Sequence, residues 1–286
     1  MGIQFDGHAK SAGGTEGTLC NYPVRLDTYG CGCQHDCAYC YAKSLLDFRG
    51  LWNPKRPKIA STDSIRREVQ KLRRGQIVRL GGMTDCFMPM ERFAKATKTA
   101  IQMLNERRVG YLIVTKSDLV ATEEYVDILD PELAHVQISV TSTSDEPNAL
   151  GERAVAPSRR IAAARALQDA GIDSCIRVSP YIPELVDASV LLDAGVDKCL
   201  VEFLRVNGFI KRWLESNGYA TSHYTHKVGG YRHLPLWHKK ALLERGLMGF
   251  KEISVCEDVP YDYEYWRANL NANPDDCCNL RTGDAR

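Results

Sequence analysis

The chain reads as an α/β protein built on a parallel sheet, with about six strand–helix repeats. Two observations predict this. Short apolar runs of four or five residues recur at 77–80, 111–115, 136–140, 175–178 and 199–203. The first four are each followed by a stretch with helical spacing of its apolar positions, and such alternation implies right-handed crossovers into a parallel sheet. With one strand before residue 33 the count is six, fewer than the eight of a closed barrel.

In order, residues 2–17 carry glycines and polar residues and read as an entry arm. Residues 22–29 alternate toward a short strand, and 38–48 continue as a helix. The run at 77–80 ends in Gly81-Gly82, with a helical pattern over 91–107. A helix from about Thr122 follows 111–115, and one over 158–170, closed by Gly171, follows 136–140. A helix ending near Gly195 follows 175–178, and 253–255 is a candidate late strand. The division expected is an arm over 1–19, a core over 20–206, and an extension over 207–286 that completes or covers the site.

Composition narrows the class. Of the 286 residues 44% are hydrophobic, enough for a sizeable core, and no compositional break suggests disorder. The formal charge of +1 argues against a protein that coats nucleic acid by bulk electrostatics, though not against a local basic face. No apolar run approaches the roughly 20 residues that span a bilayer, so no membrane association is expected. The polar start lacks the apolar core of a signal peptide. Eleven cysteines, three of them tightly spaced, fit a reducing compartment, and the expectation is cytoplasmic.

Those three are Cys33, Cys37 and Cys40, in the pattern Cys-x3-Cys-x2-Cys with Tyr39 before the last. Thiols crowded into eight residues converge on a metal or a cluster. A structural zinc site, with His35 or Cys31 as fourth ligand, usually draws on a second, separated ligand pair, absent here. A ferredoxin-type run needs a fourth cysteine close behind the third, and none follows until Cys86. Three ligands suit a 4Fe–4S cluster that keeps one iron open to a small molecule.

Polar groups follow the apolar runs: Gly81, Gly82, Met83, Thr84 and Asp85; Thr115, Lys116 and Ser117; Ser139 and Thr141; Arg177 and Ser179; Arg205. Any one of them reads equally as a helix cap or turn residue. Five strand ends in succession predict a shared ligand pocket, because chemistry in parallel α/β folds collects at the C-terminal ends of strands. Residues 55–74 hold eight Lys/Arg against Asp63 and Glu68, either a solvated helix face or a phosphate track. Residues 207–238 are rich in aromatics and histidine, either a base-stacking surface or a lid on the barrel's open end. Near the end, Cys277 or Cys278 is expected to fold back toward the active site as a redox or hydrogen-donor group, the alternative being incidental thiols or a structural turn. A second cluster with Cys20, Cys31, Cys199 or Cys256 has no contiguous motif behind it.

Residues 33–41 resemble the radical S-adenosylmethionine (radical SAM) superfamily. Together with Gly81–Asp85, Thr115-Lys116-Ser117, Ile138–Thr141, Ala156-Pro157-Ser158 with Arg160, and Arg177–Pro183, they resemble its spore photoproduct lyase-like branch, over about 21–202. The resemblance implies a partial (β/α)6 TIM-like barrel and a 4Fe–4S cluster on Cys33, Cys37 and Cys40. It implies reductive cleavage of S-adenosylmethionine to a 5′-deoxyadenosyl radical that takes a hydrogen atom from substrate. By motif position, Thr84, Lys116 and Ser139 are cofactor contacts, with Tyr39 and Tyr41 as aromatic neighbours; Gly81, Gly82, Asp85 and Arg177 complete the expected binding set. The substrate implied is a modified nucleobase in DNA, flipped out of the duplex and rearranged by lyase- or isomerase-type chemistry. The electron would come from a donor such as flavodoxin or ferredoxin. Relatives place a cysteine hydrogen donor where this chain has Gly82 and Met83; Cys86, just beyond, is the candidate replacement. Two alternatives remain: radical chemistry on a peptide or small metabolite, or a zinc-stabilised nucleic-acid-binding module.

Overall fold

The computed structural model describes residues 19–147 and 150–281, so nearly all of the arm expected over 1–19 lies outside the described residues. Seven strands form one sheet in sequential order: β1 Arg25–Leu26, β2 Ile77–Leu80, β3 Gly110–Thr115, β4 Ala134–Val140, β5 Asp173–Tyr181, β6 Lys198–Phe203 and β7 Glu252–Val255. Every neighbouring pair is parallel. Among the described residues β1 and β7 do not pair, so the sheet curves as an incomplete barrel. The late strand is therefore a seventh member of the sheet, and the segment after residue 206 returns to the core through it.

Strand alternation divides the interior. Val78, Leu80, Ile113, Val136, Ile138, Ile176, Val178, Val201 and Val255 belong to the main core, which the helices complete. On the opposite strand faces, Leu112, Cys175 and Leu200 pack against Cys277, Cys278 and Leu280 of the C-terminal tail, which fills the barrel from within. The tail is tied down by polar contacts. Lys198 Nζ donates to the Asn279 carbonyl (2.6 Å) and to Asp173 Oδ1 (2.7 Å), and the Arg281 amide donates to Asp173 Oδ2 (2.7 Å).

Three expected elements differ. The helix over 91–107 is two, Glu91–Ala94 and Ala96–Glu106, divided at Lys95, whose φ is +52°. Buried Glu91 is the reason: its carboxylate accepts from the amides of Thr97 (3.0 Å) and Lys98 (2.9 Å), capping the second helix. The helix expected from Thr122 is one turn, Glu123–Val126, after a 3₁₀ turn at Leu119–Ala121. The strand expected over 22–29 splits into β1 and Tyr29–Gly30, which pairs antiparallel with Lys58–Ile59. Among the described residues no helix is long and apolar enough to cross a membrane.

Candidate active site

The cysteine loop runs from Tyr29–Gly30 to the helix Tyr41–Asp47. Its entry needs glycine at position 32: φ there is +149°, and a Cβ would lie 2.1 Å from the Asn53 carbonyl oxygen. Two tight turns then bring the cysteines round, with the Asp36 amide donating to the Cys33 carbonyl (3.1 Å) and the Cys40 amide to the Cys37 carbonyl (3.2 Å). A second loop clasps the first, through Ala38 N–H to the Leu150 carbonyl (3.2 Å) and Arg153 N–H to the His35 carbonyl (2.7 Å).

Cys33, Cys37 and Cys40 line one cavity of about 270 Å³. All three are unpaired thiols. Burial, followed by the Asp85 charge, pushes Cys33 up to about 12, and burial raises Cys37 and Cys40 against the pull of Lys116. Loading a metal centre here therefore expels protons. The three sulfurs are not gathered as tightly as the ligand atoms of Asp276, Cys277 and Cys278, which lie within 4.8 Å of one another. The wider set fits a cluster in which each cysteine holds a different iron, and disfavours a single zinc ion. His35 turns its Nε2 toward Asp85 Oδ2 at 3.1 Å.

The strand ends supply the opposite wall. Gly81 turns the chain after β2 with φ +73°, and a Cβ there would meet the Thr84 carbonyl oxygen at 2.7 Å. Thr84 donates its hydroxyl to the Tyr29 carbonyl (2.8 Å), and Tyr41 donates to the Gly82 carbonyl. Asp85 organises this wall from beneath, accepting from Phe87 N (2.8 Å), Thr115 Oγ1 (2.7 Å) and Lys116 N (2.7 Å). Burial would raise its pKa, but His35 and these donors hold it below the ordinary carboxylate range. Lys116 Nζ lies 5.5 Å from the centre of the Tyr39 ring, 3.3 Å from the Ser179 carbonyl oxygen and 3.4 Å from Glu152 Oε1.

Two carboxylates hold the polar frame. Glu152 accepts from Tyr39, from Thr141 Oγ1 (2.7 Å) and from Arg160 Nη2 (3.0 Å). Burial pushes it up, yet Lys116 and Arg160 outweigh that and leave it at about 2. Glu202 accepts from Arg177 Nη2 (2.6 Å), Ser179 Oγ (2.7 Å) and Arg205 Nη2 (3.3 Å), and the two arginines likewise overcome its burial to about 2. Arg205 also pairs with Asp258 and lies over the rings of Tyr41 and Tyr231.

The structure thus brings the three cysteines together with Tyr39, Tyr41, Gly81, Gly82, Thr84, Asp85, Lys116, Ser139 and Arg177 around one cavity. It does not bring Cys86 there. That thiol is fully buried on the helix side of the sheet and points at the Leu80 carbonyl oxygen (3.6 Å). Cys277 and Cys278 fold back inside the barrel, where they pack with Leu112, Cys175 and Leu200 and do not line the cavity. Arg79, Glu202 and Glu152 were not singled out in the sequence. Arg79 and Glu202 stand at inward-facing register inside apolar runs, a signal that strand alternation carries. Glu152 lies in an irregular loop with no periodicity to mark it.

The Radical SAM superfamily model matches residues 28–192, more than half of the chain. An uncharacterised protein of Methanocaldococcus jannaschii is 27% identical over 169 residues, covering 56% of this chain and 61% of that protein. The chain thus spans less than two thirds of the length of the curated relative it matches. Among solved structures, spore photoproduct lyase complexed with dinucleoside spore photoproduct matches with a TM-score of 0.61 at 18% identity, covering 88% of this chain and 78% of that one. A double mutant of spore photoproduct lyase with bound AdoMet and the same dinucleoside matches at 0.60 and 18% identity, covering 84% and 79%. These likenesses establish a shared fold.

Proposed function

The chain belongs to the radical SAM superfamily, with a 4Fe–4S cluster and S-adenosylmethionine as its cofactors, and from that premise we propose that its substrate is a nucleobase in DNA, carrying a modification that the enzyme rearranges. The observation that carries the reading is a single cavity in which three cluster thiols face Arg79, Arg177, Arg205 and the tyrosines 39, 41 and 231. When bound, the cofactors supply an electron and a carbon-centred radical able to take a hydrogen atom from an unactivated C–H bond.

The chain's own groups do the rest. Cys33, Cys37 and Cys40 hold the cluster. The Lys116–Glu152–Arg160 frame fixes Tyr39 beside them, and Glu202 fixes Arg177 and Arg205 on the facing wall. The helix Gly208–Ser216 sends Ile210 into the cavity lining and lays Trp213 6.2 Å from Tyr39, centre to centre, which shields the site from water.

Three features support the nucleobase. The eight Lys/Arg of 55–74 are all exposed, and within the segment Arg66 pairs with Asp63 and Lys71 with Glu68. Lys58–Ile59 pairs with the strand that leads into the cysteine loop, so this basic face adjoins the cluster. The solved structures of the same fold hold a dinucleoside lesion. Rearrangement is favoured over thymine-dimer repair because no thiol besides the three cluster cysteines lines the cavity among the described residues. A small carrier of the flavodoxin or ferredoxin type would deliver the electron, in a reducing cytoplasm.

Anaerobically reconstituted enzyme, titrated with DNA at increasing salt, tests the substrate. The reading expects binding that weakens steeply with salt, is blunted by Arg73→Glu with Arg74→Glu, and alters the rate of 5′-deoxyadenosine formation. Salt-independent or absent binding, with turnover unaffected by DNA, would refute it.

A further inference from the structure

Behind the active-site cavity lies a second gathering of thiols, and we propose that Cys256, Cys277, Cys278 and Asp276 form a metal site for one zinc-type divalent ion. The ligand atoms of Asp276, Cys277 and Cys278 already lie within 4.8 Å of one another. Cys256 packs against the buried group that holds Cys277 and Cys278, which places it to supply the fourth ligand. Tetrahedral zinc with bonds of about 2.3 Å sets its sulfurs roughly 3.8 Å apart, so Asp276, Cys277 and Cys278 need only a small contraction, and a side-chain rotation of Cys256 would complete the shell. A cubane cluster would need a wider set, because each cysteine holds a different iron.

The surroundings are built for anionic ligands. Asp276 is fixed by Tyr22 Oη (2.6 Å) and the Leu280 amide (3.1 Å) on Oδ2, while Oδ1, which accepts from the Cys278 amide (2.9 Å), has a second lone pair that can face the ion. Gln137, 1% exposed, has an Nε2 with no satisfactory partner. It faces the Cys278 sulfur. A metal-bound thiolate would accept that N–H far better than a neutral thiol does. Three thiolates and a carboxylate around a dication leave a net charge of about −2. Two guanidiniums meet it: Arg177 interacts electrostatically with Cys256 and Cys278, and Arg79 with Cys256 and with Cys20 alongside. Both arginines also line the active-site cavity.

The placement gives the site a task. It joins β7, through Cys256, to the tail that plugs the barrel, and through Tyr22 it reaches the segment leading into β1. An ion there would staple the two unpaired edges of the sheet.

Metal analysis and cobalt spectroscopy on thiol-reduced full-length protein test this. About one zinc per chain is expected in addition to cluster iron, and Co²⁺ in its place should give the absorption of a tetrahedral thiolate site. The variant with Cys33, Cys37 and Cys40 all replaced by alanine should lose the iron and keep the zinc. Cys256→Ser with Cys277→Ser should do the reverse. Zinc retained in the latter variant, iron–sulfur absorption in the former, or no cobalt–thiolate absorption in either the wild type or the former would overturn the proposal. Should the serine variant fail to fold, the alanine variant decides alone.

Discussion

Replacing Glu152 by glutamine removes the charge on which one wall of the cavity depends. Its side chain is 7% exposed and faces Lys116 (13%) and Arg160 (3%). A carboxylate held at about 2, against an ordinary value of about 4.3, is favoured in its charged form by about 3 kcal/mol. Glutamine keeps the shape and forfeits that term, and it leaves two buried cations without their counter-charge. For a chain of this size the loss corresponds to a fall in Tm of about 5 °C. The sign of the pH dependence follows: the folded-state pKa is depressed, so the stabilisation is complete above about pH 4.3 and disappears as pH falls toward 2. Thermal unfolding of wild type and Glu152→Gln at pH 7, and denaturant unfolding from pH 5 to 2.5, measure both, with exposed Glu184→Gln as control. A difference under about 0.5 kcal/mol at pH 7, or one that does not narrow with acid, would refute the reasoning.

Other substitutions probe the same frame. Asp85→Asn exchanges a carboxylate with three donors for an amide with one acceptor oxygen; it should cost about 1–3 kcal/mol and loosen cluster retention, read as iron per chain after gel filtration. Gly81→Ala sets a Cβ 2.7 Å from the Thr84 carbonyl oxygen at φ +73°, and should lower Tm and weaken S-adenosylmethionine binding in calorimetry, by about 1–3 kcal/mol in stability. His233 is held at about 4 by burial and then by Lys239 and Arg205. Its folded pKa is also depressed, so about 3 kcal/mol of stability present above pH 6.5 should drain away as pH falls through 4. A His233→Gln variant should lack that slope in urea midpoints measured over the same range.

Much of the fold was legible because burial on both faces makes parallel strands read as apolar runs. That is why β2 to β6 were found within a few residues of their ends. The short β1 and the edge strand β7 carry less pattern. The break at Lys95 was invisible because it depends on Glu91, which a helical reading assigns to an ordinary first turn. At the site, strand-end polar residues were readable because their position in the topology fixes their direction. Arg79 and Glu202 were hidden by the apolar runs around them, and Glu152 by its irregular loop. Cys86 lies outside the cavity because proximity in sequence to the Gly81–Asp85 turn does not determine which face of the sheet a side chain takes. Cys277 and Cys278 return to the barrel as expected, but stop on the far side of Arg79 and Arg177.

The central claim is that Cys33, Cys37 and Cys40 hold a cluster that breaks S-adenosylmethionine. Anaerobic reconstitution with iron and sulfide, reduction with dithionite, and chromatography for 5′-deoxyadenosine test it directly, with Cys37→Ala beside the wild type. The account predicts about four irons per chain and 5′-deoxyadenosine from the wild type, and neither an intact cluster nor product from Cys37→Ala. Zinc in place of iron on these three cysteines, or product formation that survives Cys37→Ala, would contradict it.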